Sequence, residues 1–329
     1  MSEKETIVFC VHGANQADKD PAKDYATWSD AFELEDACLE LKNVILGNEN
    51  DEIKNYHLEK HNNCDFPQYN GWASAWYGGI WQSLLDKPES ERFSTRLSPS
   101  KDGEKDERVF LLEKIERGAM KKHFDELVPF YELAVIKDSN KTLYEEICSK
   151  VVDDLWEATE EGVKDFVMVG HSMGCCVCYN VLSHMTRVVD GQPPAAIEGA
   201  LSPEYTEKIK KMTESSSKPF GLITFGNYMG YNWAQKANTR ILYGERSRHY
   251  VYPDYSPRWF NFFTLFGGDP YIIDDLLESS IIGDDIDAYD DVSVWRVPFT
   301  NIGHGRHQWF RRDSFTNKMR SKLKKHLYR

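Results

Sequence analysis

Phe166-Val167-Met168-Val169-Gly170-His171-Ser172-Met173-Gly174 joins a run of β-formers to a Gly-x-Ser-x-Gly turn. The apolar run 166–169 is short, which predicts a buried strand rather than a helix. The residues after the turn have helix-compatible spacing. A serine between strand and helix sits on a tight turn, commonly with strained φ/ψ, and Gly170 and Gly174 let the two backbone segments approach. Ser172 Oγ is then presented at the top of a sheet, with the following helix N-terminus aimed at any anion formed there. The five-residue pattern alone also occurs by chance in loops. The strand before it and the helix after it make a nucleophile elbow the expectation.

Working outward, residues 140–162 read as an amphipathic helix, with Leu143, Ile147, Val151 and Leu155 on one face, Trp156 beside them and Gly162 as the stop. Helix, strand, tight turn and helix (continuing through 177–188) make the repeating unit of an open α/β sheet. Residues 7–11 and 221–225 are further core strands. The aromatic segment 72–81 holds a strand near 73–77, 259–266 is an apolar run, and 292–297 alternates like a strand. Helical spacing also appears at 27–46, 109–119, 123–133 and, as a basic tail, 311–325. Residues 86–109 are highly charged and aperiodic, with 101–108 a solvated loop, and 190–218 read as a surface excursion around a charged helical piece. The fold class expected is α/β: a mostly parallel central sheet flanked by helices in one domain spanning 1–329. Insertions at about 86–135 and 190–218 are candidates for a cap or lid.

The chain has 329 residues, enough for such a domain, and no Pro-, Gly- or Ser-rich linker divides it. A formal net charge of −13 argues against nucleic acid as the main partner. No apolar run approaches the roughly 20 residues of a membrane span, so no transmembrane segment is expected. Met-Ser-Glu-Lys-Glu-Thr runs straight into the first strand without a signal peptide, and a cytoplasmic location is the default; export without a cleavable signal would leave the same sequence. The seven cysteines are odd in number and scattered, unlike a disulfide framework. Cys175, Cys176 and Cys178 invite a metal or redox reading, but they lie on the helix behind the turn, where small packing residues are needed, and no second ligand pair has suitable spacing.

A serine hydroxyl needs a base within hydrogen-bond reach, and the base needs an orienting acid. An elbow of this kind is followed in chain order by acid and then base. Asp269 follows an apolar run and two glycines, with Asp274 and Asp275 as rivals. His304 and His307 lie late, after the last expected strand. His249 precedes the acid, His326 lies in the tail helix, and His171 points away from its neighbour Ser172. The oxyanion needs two N–H donors: Met173 N–H at the helix start, and Ala14 N–H in the small-residue turn after the first strand.

With these residues in view, the chain resembles the α/β-hydrolase superfamily, closest to its serine lipase/esterase-like branch. Val11-His12-Gly13 with Gln16 resembles that branch's opening, Trp76-Tyr77-Gly78 its second strand, and residues 140–158 its pre-elbow helix. Thr224-Phe225-Gly226-Asn227 resembles its Thr-Phe-Gly-Ser/Asn turn, and Trp259-Phe260-Asn261-Phe262 with Asp269-Pro270 its acid loop. His307-Gln308-Trp309-Phe310 with Asp313 resembles its final histidine segment and favours His307 over His304. The Cys175-Cys176 pair departs from the usual Gly or Ala. The resemblance implies a Ser172–His307–Asp269 hydrolase with no metal or organic cofactor. Ester hydrolysis through an acyl-enzyme is the leading expectation, with a small-molecule or lipid ester as substrate. The aromatic residues Trp72, Trp76, Tyr77, Trp81, Trp259, Phe260, Phe262 and Phe263 suggest a lipid, though such residues are more often core. An amidase or peptidase using the same triad, and an inactive hydrolase-like binding scaffold, are the alternatives.

Overall fold

The computed structural model describes residues 6–11, 13, 72–75, 77–97, 126–227, 229, 232–244, 250–256, 258–263, 281–282 and 289–293. In chain order the described strands are β1 (Thr6–Val11), β2 (Trp72–Ala75), β3 (Phe93–Arg96), β4 (Ala134–Ile136), β5 (Asp165–His171), β6 (Pro219–Phe225), β7 (Tyr250–Val251), β8 (Trp259–Phe263), β9 (Ile281–Ile282) and β10 (Tyr289–Ser293). The described helices are α1 (Gly78–Leu85), α2 (Glu89–Arg92), α3 (Leu127–Tyr131), α4 (Leu143–Ala158), α5 (Met173–Val189), α6 (Pro203–Glu214) and α7 (Asn232–Tyr243).

Six of the described strands form one sheet in the order β10-β8-β6-β5-β1-β2. All of its pairings are parallel. Residues 7–11 of β1 and 166–169 of β5 are at most 3% exposed, which explains why both read as unbroken apolar runs rather than alternating ones: a parallel strand covered on both faces needs apolar side chains in both directions. From β1 the chain builds outward to β2. It then returns with β5 on the other side of β1 and adds β6, β8 and β10 outward from there. The direction of build-up thus reverses between β1 and β5, and such a reversal opens a crevice at the carboxyl ends of the two strands.

Helices α4 and α5 pack side by side against β1 and its neighbours. Leu143, Ile147, Val151 and Leu155 form the buried stripe of α4, as their spacing predicts. The helix is shorter than 140–162. Asn140 has φ 56°, and Val135 and Thr142 form an antiparallel bridge, so the chain is still turning at its start. Thr142 caps the helix, its Oγ1 accepting the Glu145 N–H at 2.9 Å. At the other end, Glu160, Glu161 and Gly162 all have positive φ, and the helix has given way to a turn before Gly162.

Three other expectations are revised. Within the charged, aperiodic stretch 86–109, a helical turn (α2) leads into β3, which pairs antiparallel with β4, so part of the stretch is regular structure; residues 101–108 and 109–119 lie outside the described residues. The helix expected over 123–133 is reduced to α3 among the residues described, because Leu133 takes φ 51° and turns the chain into β4. Within 190–218, α6 buries Tyr205, Ile209 and Met212 and packs on α4 and α5, which gives it a place in the flanking layer rather than a purely superficial one. The strand expected near 73–77 spans Trp72–Ala75, with α1 starting at Gly78, and the one expected at 292–297 is β10, ending at Ser293. Residues 27–46, 294–297 and 311–325 lie outside the described residues.

Candidate active site

Ser172 stands between β5 and α5 with φ 54° and ψ −122°. A non-glycine residue in this region costs about 1–3 kcal/mol and persists only where its surroundings over-determine it. Here they do. The Ser172 N–H donates to the Phe225 carbonyl at the end of β6, at 3.3 Å, and the Ser172 carbonyl accepts from the Cys175 N–H at 3.1 Å. Gly170 is obligatory for the crossing: a Cβ there would lie 2.6 Å from Cys175 Cα and 2.7 Å from Cys175 N, both backbone atoms that cannot swing aside.

The turn meets the end of β1 from the other side. A Cβ on Gly13 would stand 2.7 Å from Ser172 Cβ and 3.3 Å from His171 Nδ1. The two strand ends that flank the reversal in sheet order are therefore in contact, and Ser172 is at their junction, where it is 3% exposed. Its hydroxyl sits at the N-terminus of the 17-residue helix α5. First-turn amides have no carbonyl one turn back to bond, and the helix dipole favours negative charge at this end. Cys175 N–H is bonded to Ser172, and Met173 N–H is the first amide of the helix. A hydroxyl and an amide at one helix end suit attack on a carbonyl and stabilisation of the oxyanion that results. Of the two donors expected, Met173 is described. Ala14, Asp269, His304 and His307 lie outside the described residues, as do Asp274, Asp275 and His249.

The cysteines behind the turn pack as expected. Cys175, Cys176 and Cys178 are fully buried. The small Cys175 thiol fits the crossing and donates to the Gly170 carbonyl at 3.1 Å and the Phe225 carbonyl at 3.4 Å. Cys176 accepts from the Tyr131 hydroxyl at 3.0 Å, and burial pushes its thiol up to about 12. Among the described residues no group of His, Cys, Asp and Glu could hold a metal ion. His171 is buried and packs on the Phe225 ring, centroids 5.1 Å apart.

Two buried polar clusters escaped the sequence reading. At the ends of β6 and β8, Trp259 Nε1 donates to Thr224 Oγ1 and Thr224 Oγ1 to Asn261 Oδ1, each at 2.9 Å. Asn227 Nδ2 also donates to Asn261 Oδ1, and Asn227 Oδ1 accepts the Met229 N–H at 3.1 Å. All four side chains are fully buried. The signal was present: an asparagine inside Trp-Phe-Asn-Phe-Phe has to find partners once the strand is buried. The second cluster is His184, whose Nε2 meets the Tyr144 hydroxyl at 3.0 Å and whose Nδ1 meets the Tyr205 hydroxyl at 2.7 Å. Burial, reinforced by the Arg187 charge, lowers His184 to about 3 and keeps it neutral. It lies 12 residues along α5 from Ser172, about 18 Å at the helical rise, and is no partner for it.

The aromatic residues that suggested a lipid are core where they are described. Tyr77, Trp81, Trp259, Phe260 and Phe262 are all at most 4% exposed. They lend no support to a lipid substrate. Among the described residues no helix is long and apolar enough to cross a membrane. Comparison with protein-family models, curated proteins and solved structures gave no match.

Proposed function

We propose that the chain is a serine hydrolase that cleaves carboxylic esters through an acyl-enzyme. The observation that carries this reading is the backbone of Ser172. A strained φ/ψ on a serine, at the start of a helix and at the carboxyl edge of a parallel sheet, is what a nucleophile needs and what a packing serine does not. Ser172 Oγ attacks the ester carbonyl, and Met173 N–H, with Ala14 N–H, stabilises the oxyanion. His307 accepts the serine proton and returns it to the leaving alcohol, with His304 as the rival base, and Asp269 holds the imidazole tautomer. Water then releases the acid by the same route in reverse. No step needs a metal or an organic cofactor. Amide substrates would pass through the same steps, and a panel of matched esters and amides separates the two.

A fluorophosphonate probe tests the nucleophile directly, since it traps a serine only when that serine is activated. The wild-type chain is expected to label, and Ser172→Ala to lose labelling and esterase turnover by on the order of 10⁴-fold or more. Wild type and Ser172→Ala labelling equally while both are folded would overturn the proposal. Assayed side by side, His307→Ala is expected to lose turnover comparably and His304→Ala to retain most of it.

A further inference from the structure

We infer that Asn261 and Thr224 are positioning residues for Ser172, acting through the Phe225 carbonyl. This rests on the serine hydrolase reading of the site. The strained serine is held on its amide side by one hydrogen bond, from Ser172 N–H to Phe225 C=O at 3.3 Å. The same carbonyl takes the Cys175 thiol at 3.4 Å, so it fixes both the serine and the first turn of the helix behind it. The orientation of one peptide group at the end of β6 therefore sets where the serine points.

That peptide group lies just before a turn, at the point where β6 ends and its ladder with β5 stops. Phe225 is the last residue of β6 in register with both β5 and β8, and the turn beyond it is tied by the side chain of Asn261. Its Oδ1 accepts from Thr224, the residue before Phe225, and from Asn227, two residues after it. The acceptor brackets Phe225 from the neighbouring strand β8 and is itself fully buried. Trp259 Nε1 locks the Thr224 hydroxyl from the other side at 2.9 Å, so the hydroxyl has its proton directed at Asn261. A buried chain of this kind is rigid because each member has its partners and no water competes. A fully buried Asn–Thr–Trp–Asn chain is more than strand pairing requires: Leu222, Ile223 and Phe225 pair between the same strands with apolar side chains.

Thr224→Val keeps shape and removes the hydroxyl; Thr224→Ser keeps the hydroxyl and trims a methyl group. The experiment measures the limiting rate of fluorophosphonate labelling and the probe concentration at half that rate, at a temperature where melting curves show every variant folded. Thr224→Val and Asn261→Leu are expected to lower the limiting rate roughly tenfold to a hundredfold, with the half-saturating concentration within about twofold of wild type. Thr224→Ser is expected to restore the rate. A merely structural role would shift melting without this split and without rescue by serine. Folded Thr224→Val labelling at the wild-type limiting rate would overturn the inference. Amide hydrogen exchange of the peptide covering residues 169–175 is read in parallel and does not depend on catalysis: faster exchange in Thr224→Val supports the positioning role and unchanged exchange overturns it. If the wild-type chain does not label at Ser172 while its exchange responds to Thr224→Val, the hydrolase reading fails and the positioning of Ser172 stands.

Discussion

At the scale of the residue, two glycines border Ser172 and do different work. Gly170 lets β5 and α5 cross. An added methyl group there meets only backbone, at 2.6–2.8 Å, so the strand or the helix must move. Gly170→Ala is expected to destabilise the fold by about 3 kcal/mol, the upper part of the overpacking range, measured by urea denaturation. Gly13 instead lets the end of β1 lie against the serine. A methyl group there meets Ser172 Cβ at 2.7 Å, and the His171 ring and backbone carbonyl at 3.3 Å, contacts centred on the serine rather than on the crossing of strand and helix. Gly13→Ala is expected to remain folded and to lose roughly a hundredfold in fluorophosphonate labelling rate. The two substitutions are chemically identical and separate on opposite readouts, stability for one and labelling for the other. The need for a close approach at Gly170 was legible in Gly-x-Ser-x-Gly. The demand on Gly13 was not, because the residue it meets is 159 positions away in sequence.

At the scale of the element, helix ends tie the flanking layer together. Thr142 and Glu145 have the spacing of a capping box, in which the glutamate would turn back to its own helix. The threonine caps as spelled, and its hydroxyl also donates to the Ala200 carbonyl at 2.8 Å. The glutamate is diverted. Its carboxylate accepts the Ser202 N–H at 2.9 Å and the Ser202 hydroxyl, at the start of α6. Ser202 in turn caps α6, accepting the Tyr205 N–H at 3.2 Å. One buried carboxylate thus fixes the N-termini of α4 and α6 side by side. Ser202→Ala is expected to cost about 1 kcal/mol as a lost cap, and Glu145→Ala about 2–3 kcal/mol as lost charged hydrogen bonds. The double variant should cost less than the sum, since both remove the same link, and denaturation of the three variants checks this. Segment 190–218 read as superficial because its glycines, prolines and charges dominate it. The helix within it has an apolar face that only makes sense once α4 and α5 are beside it.

At the scale of the whole molecule, two buried groups pull stability in opposite directions as pH changes. Burial raises Asp154 to about 7, with the Lys150 ammonium at 2.9 Å opposing the shift. The native state then holds a proton that the unfolded chain has lost, from about pH 4 to about pH 7. Across that window Asp154 makes stability fall as pH rises. His184, lowered to about 3, does the reverse: from about pH 6.5 down to about 3 the unfolded chain binds a proton that the native state refuses. Its contribution is complete above about 6.5 and is lost as pH falls. Between pH 4 and 6.5 the two slopes offset. Asp154→Asn removes one of them, and is expected to lose stability on acidification from pH 6 to pH 4 more steeply than wild type by about 1.4 kcal/mol per pH unit. Urea denaturation across that range measures the difference, and equal slopes for the two chains would refute it.

What the sequence determined by itself is local. Runs of apolar β-formers became buried parallel strands because such strands need apolar side chains on both faces. The period of residues 143–155 became the buried stripe of α4, and a Gly-x-Ser-x-Gly turn became a strained serine at a helix start. These depend on neighbours a few residues away. Only the tertiary structure decided what surrounds that serine. The sheet order puts the end of β1 against Ser172, β6 supplies the carbonyl that holds its amide, and Asn261 on β8 clamps that carbonyl's turn. Hydrogen bonds and close approaches across a sheet join residues whose separation along the chain carries no periodicity, so no pattern in the sequence announces them.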